Sequence, residues 1–194
     1  MRAYYFSESN KKLRYGDDRQ IRKGRTHKVK GEPVMCEHGL HASKRALDAL
    51  GYAPGSYLWV VEMAGKIVEG DDKIVATERA YIDGFEASDL LREFARKQAL
   101  INIEKIYKYC SKKDYDLIVK YLETGDPNIQ DAAWSAAESA AESAARSAAE
   151  SAARSAARSA ARSAAWSAAR SAAWSAAESD ANTMLEKMIN ERLK

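Results

Sequence analysis

From residue 131 to residue 179 the chain repeats a four-residue unit, Ala-Ala-x-Ser, in which x is Trp, Glu or Arg. Alanine is the best helix former, so the repeat predicts one α-helix of about 50 residues and about 75 Å. A step of four on a turn of 3.6 advances about 40°, so each residue type winds around the helix as a right-handed stripe. The alanine rows coincide with the i±4n ridges of helix packing and permit close approach of a second helix. Trp134, Trp166 and Trp174 occupy x positions. On a lone helix they would expose large apolar surfaces, so cover by a second copy is expected, with a bare spacer or a fold back onto the rest of the chain as the competing arrangements. These three tryptophans are the expected oligomer interface.

The remaining sequence predicts an α+β fold. Three domains are expected: an α+β head over residues 1–125 that includes two helices at its end, the repeat helix over 126–181, and a short amphipathic helix over 182–194. Ala3–Phe6, Ser56–Met63, Lys66–Glu69 and Lys73–Ile82 are rich in aromatic and β-branched residues and read as strands, with Val34–Cys36 pairing back onto them. Residues 8–33 read as turns and an exposed hairpin. Ser43 is the expected N-cap of a helix over Lys44–Leu50, and Ser88–Cys110 has helical periodicity. A further helix runs from about Lys112 to Glu123 between a Ser111 cap and Gly125, and Asp126-Pro127 opens the repeat helix. Thr183-Met-Leu-Glu186 matches a capping box at the start of the last helix.

The net charge is +3, but residues 1–30 hold ten Lys or Arg against three acidic residues. Such a segment draws phosphates by Coulomb attraction. Lys11, Lys12, Arg14, Arg22, Lys23 and Arg25, with Arg154, Arg158 and Arg162 of the repeat, are therefore the candidate anion or nucleic-acid contacts. Their binding is expected to be weak, sequence-independent and salt-sensitive, since Glu142 and Glu150 dilute the repeat arginines. Charged x residues break every apolar run in the repeat, so no membrane span is expected. Two distant cysteines, Cys36 and Cys110, predict no disulfide framework.

Cys36-Glu-His38-Gly-Leu-His41 gathers metal-ligand types, with Cys110 as a conceivable fourth, but C-x-H-x₂-H is not a usual zinc spacing and no metal is assigned. P-loop, GxGxxG, HExxH and GxSxG motifs are absent. Gly39-Leu-His41-Ala-Ser43, then Ala49-Leu-Gly-Tyr52 and Tyr57-Leu-Trp-Val-Val-Glu62, resemble the central part of ADP-ribosyltransferase-type folds. That resemblance implies a nicotinamide dinucleotide (NAD) cofactor, with His41, Ser43 and Glu62 as catalytic candidates and Tyr5 and Tyr52 as ligand contacts.

The segments Cys36–Ser43, Ala46–Tyr52, Gly65–Val68, Asp72–Val75 and Leu90–Ala95, followed by an Ala-rich tract with Trp and Arg, resemble an uncharacterised family of bacteriophages and prophages. The resemblance implies a virus-encoded protein acting in a bacterial cytoplasm and implies no mechanism.

The leading expectation is a non-catalytic binding or assembly protein without a cofactor, self-associating through the Ala-rich helix, with a host protein as a further expected partner. An ADP-ribosyltransferase-like enzyme using NAD is the alternative, and weak non-specific nucleic-acid binding is the third reading.

Overall fold

The computed structural model describes the backbone of residues 1–156 and 163–194, and side chains outside residues 152–176. The described chain is α+β, with a five-stranded antiparallel sheet and helices. It divides into two units, Met1–Leu91 with Ser179–Lys194, and Arg92–Glu178.

In the first unit, β1 (Arg2–Ser7) pairs with β4 (Tyr57–Glu69), and β4 pairs along its length with β5 (Ile74–Glu86). The other edge of β5 carries two short strands, β3 (Leu40–Ala42) opposite Ile74–Ala76 and β2 (Thr26–Lys28) opposite Glu78–Ala80. The two strands expected on either side of Gly65 are one. Gly65 sits at φ +75°, where an added Cβ would lie 2.1 Å from Thr77 Oγ1, and the register shifts there between Ala64 and Ile67. A glycine bulge thus turns the strand without ending it. Val34–Cys36 forms a turn closed by a Val34–His38 bridge, and the strand follows at Leu40.

Trp59, Val61, Met63, Ile74, Ala76 and Tyr81 form the core with Ala3, Ile21 and Ala42. Trp59 and His27 both meet the Tyr81 ring edge-on, at centroid distances of 5.4 and 5.2 Å. Such contacts contribute about 1 kcal/mol each beyond their burial. The Trp59 indole donates to buried Ser7 Oγ at 3.0 Å, so the ring is satisfied inside the core.

Helix α1 (Ala46–Gly51) begins two residues later than expected and has no local side-chain cap, because Arg45 occupies the cap position. Ser43 instead exchanges backbone hydrogen bonds with Tyr4. The cap comes from the far end of the chain: Asn182 Oδ1 accepts from Leu47 N–H at 2.9 Å, and Glu186 Oε1 accepts from Ala46 N–H at 3.2 Å. Residues 182–194 are continuous with α5 (Ser163–Arg192), so Thr183 and Glu186 open no new helix. Thr183 Oγ1 donates to the Ser179 carbonyl, one turn back.

The second unit holds most of α2 (Ser88–Ile101), a 3-10 segment Ile103–Tyr109, α3 (Lys112–Thr124), and α4 (Gln130–Ala156). The helix expected over Ser88–Cys110 therefore stops at Ile101 and tightens after Asn102. Ser111 caps α3 by accepting from Asp114 N–H, and Gly125 ends it in the left-handed region. Asp126 and Pro127 start a short 3-10 turn that leads into α4. On α4 the buried positions are Ala133 and Ala140, with Ala136, Ala137 and Ala144 half-buried. Burial follows alternating steps of three and four, the spacing of one helix face, and over these residues that face meets alanine at each step. The expected single helix over 131–179 passes through residues 157–162, which lie outside the described residues.

Candidate ligand-binding cleft

A cleft of about 400 Å³ opens in the first unit, lined by β1, the Leu13–Asp17 turn, the Cys36–Ser43 segment, α1, Lys73 and Arg79. Its volume lies at the small end of the range for ligand sites. Leu13, Val29, Leu40, Ala42 and Ala49 give it apolar walls, while Tyr5, Tyr15 and Tyr52 add rings.

Arg79 is the buried charge of this cleft, at 2% exposure. Its guanidinium lies 3.7 Å from the centroid of Tyr5. Nε and Nη2 donate to Tyr81 Oη at 2.9 and 2.7 Å, and Nη1 donates to the His41 carbonyl. The Tyr81 hydroxyl lies 3.3 Å from His27 Nδ1. Accepting two bonds from Arg79, it can donate its own proton to that nitrogen, which leaves the proton of His27 on Nε2. That nitrogen is buried, and the Gln20 backbone interacts with the ring. Burial, then the charges of Arg19, Arg79 and Arg25, hold His27 below the ordinary imidazole value.

His41 projects from β3, and its ring meets backbone groups of the 36–41 turn. Nε2 accepts from Cys36 N–H at 3.0 Å, and Gly39 supplies a backbone hydrogen bond. Burial and the positive charges of Arg79 and Lys73 lower its pKa, favouring the neutral ring that accepts at Nε2. The imidazole thereby pins the 36–41 turn. Gly39, at φ +126°, lets that turn approach β5, since an added Cβ would lie 2.4 Å from Val75 Cγ2.

At the mouth, Lys73 Nζ sits 4.5 Å from the centroid of the Tyr52 ring, and the Tyr52 hydroxyl donates to Asp72. The Cys36 sulfur and the Tyr52 hydroxyl push the Lys73 pKa up. Asp17 is committed elsewhere: three hydrogen bonds from the Arg19 guanidinium hold its carboxyl below the ordinary value.

The structure therefore gathers Tyr5, His41, Ser43 and Tyr52 around one cleft and leaves Glu62 outside it. Glu62 is exposed on β4 opposite Arg2, while Tyr5 stands opposite Trp59. Residues three apart on a strand point to opposite faces, so Glu62 faces away from Tyr5. Arg79 and Lys73 were not among the sequence candidates. The signal for Arg79 was a lone cation in the apolar strand Ile74-Val-Ala-Thr-Glu-Arg-Ala-Tyr81.

Among the basic candidates, Arg14 lines the cleft with its guanidinium 5.0 Å from the Tyr15 ring centroid, and Lys11 lies over Tyr57 at 4.1 Å. Lys12 pairs with Asp18 and Lys23 with Asp83, which reduces the local positive field. Arg22 and Arg25 are exposed. The side chains of Arg154, Arg158, Arg162, Trp166 and Trp174 lie outside the described residues, whereas Trp134 in the second unit is 65% exposed. Both cysteines are free thiols. Among the described residues no cluster of His, Cys, Asp or Glu is arranged to hold a metal ion, and no helix is long and apolar enough to cross a membrane.

Residues 3–93 match the family model of a domain of unknown function (DUF7666). The matched segment is just under half of the chain and contains β1 from Ala3 onward, the other four strands and every residue lining the cleft. No curated protein and no solved structure matches the chain.

Proposed function

We propose that the DUF7666 segment is a small-molecule-binding domain and that the protein acts by binding, without turnover. The observation that carries this reading is the cleft itself: Tyr5, His41, Ser43 and Tyr52 share it, Glu62 faces away, and the His41 ring is occupied by backbone groups. A cleft with apolar walls and a few convergent polar groups is the ordinary form of a ligand site. The resemblance of Gly39–Ser43 to ADP-ribosyltransferase-type folds makes NAD the first ligand to test. Calorimetric titration with NAD should give saturable binding that is lost when Ala42→Trp fills the cleft, with no release of nicotinamide. Release abolished by Glu62→Gln would overturn the non-catalytic reading in favour of the transferase.

We further propose that the Ala-rich tract self-associates, in the setting of a phage-encoded protein in a bacterial cytoplasm that the sequence resemblance implies. The exposed Trp134 on α4 favours this reading, because a ring of that size gains from cover. Light scattering of the intact chain at micromolar concentration should give a mass above that of one copy, falling toward it in Trp134→Ala. A single-copy mass for the intact chain would overturn the proposal.

A further inference from the structure

We infer that the ligand of the cleft carries an anionic group, a carboxylate or a phosphate, and that Arg79 is the residue that binds it. The inference rests on the reading of the cleft as a ligand site. A guanidinium has five N–H donors. Arg79 uses three, two to the Tyr81 hydroxyl and one to the His41 carbonyl, so one N–H on each terminal nitrogen is left over. Its contacts are a hydroxyl, a carbonyl and the rings of Tyr5 and Tyr81, and none is a carboxylate. A charge removed from water is ordinarily balanced by an opposite charge. Here the acidic residue of the cleft lining, Asp17, is already bound by Arg19. Lys73 and Arg14 at the same cleft add positive potential. The site therefore presents a preorganised guanidinium, held over the Tyr5 ring, with two donors spare and a charge that no lining carboxylate balances. A planar oxyanion accepts a pair of N–H donors in that geometry. The apolar walls and the limited volume suit a compact apolar or ring-bearing portion of the ligand beside that group.

The test uses the intact chain and proton–nitrogen NMR of the arginine Nε–H groups, with sodium benzoate, sodium phosphate and neutral benzamide as probes at constant ionic strength. The Arg79 Nε–H signal should shift saturably with at least one of the two anions, benzoate reporting a carboxylate and phosphate a phosphoryl group. Binding of that anion should weaken about tenfold or more in Arg79→Gln, and Arg79→Lys should recover only part of it. Because the wild-type Nε–H shift is read directly, the test holds even where Arg79→Gln unfolds. Benzamide moving the cleft signals as strongly as benzoate, with Arg79 Nε–H unmoved, would overturn the anion inference and leave the binding reading standing. No response of any cleft signal to any of the three at tens of millimolar would overturn both.

Discussion

Replacing Asn182 by alanine should destabilise the first unit by about 2 kcal/mol, although Asn182 lies 135 residues from the amide it caps. Its side chain is 7% exposed and bridges two groups. Oδ1 accepts from Leu47 N–H, and Nδ2 donates at 2.8 Å to Glu186 Oε1, the acceptor for Ala46 N–H. Loss of a helix cap ordinarily costs about 1 kcal/mol, and a part-buried amide left without an acceptor costs about 1–3 kcal/mol. The two figures describe the same lost bond and are not summed. The indole N–H of Trp59, bound to Ser7, reports the folded sheet by NMR during urea titration. With a slope near 2 kcal/mol per M, the midpoint should fall by roughly 1 M. Amide exchange at Leu47 should accelerate together with it. Thr183→Ala is the control: its hydroxyl serves an exposed carbonyl one turn back, so its effect should stay within about 0.5 kcal/mol. A larger loss in Thr183→Ala than in Asn182→Ala would mean that Thr183 and Glu186 form a local capping box, and the long-range cap would be refuted.

Stability of the first unit should decline on mild acidification. His27 and His41 both have folded pKa values below the ordinary 6.5, so their contribution is complete above that value and is lost as pH falls toward the folded values. Melting temperature measured from pH 8 to pH 5 should drop, and a constant or rising value across that range would contradict the assignment of neutral, buried rings. Gly65→Ala should destabilise the sheet by about 2 kcal/mol or more, since it combines a left-handed backbone with a Cβ 2.1 Å from Thr77 Oγ1. Adding Thr77→Ala should relieve the contact but leave the backbone cost and remove the acceptor of Lys66 N–H, so full recovery in the urea midpoint of the double variant would show that the bulge is not strained. Ser111→Ala should cost the second unit about 1 kcal/mol by removing the cap of α3, checked by the helical signal on heating.

Where local chemistry decides structure, the sequence was sufficient. Alternating aromatic and β-branched residues marked β1, β4 and β5, and Ser111 and Gly125 marked both ends of α3. The alanine content marked α4, because helix propensity acts residue by residue. Four of the five residues singled out around Gly39–Ser43 also came together. What escaped depends on contacts between distant segments. Ser43 has the chemistry of a cap, yet its backbone is taken by Tyr4 and the cap of α1 arrives from Asn182 and Glu186. Gly65 reads as a break until β5 pairs across it. Glu62 reads as a partner of His41 until the register of β1 on β4 turns it to the other face. Arg79 reads as an oddity within a strand, and its meaning appears only when Tyr5, Tyr81 and the His41 carbonyl surround it. A cap, a bulge and a buried charge are each defined by the group opposite, and that group is chosen by the sheet register and the docking of the last helix rather than by neighbours along the chain.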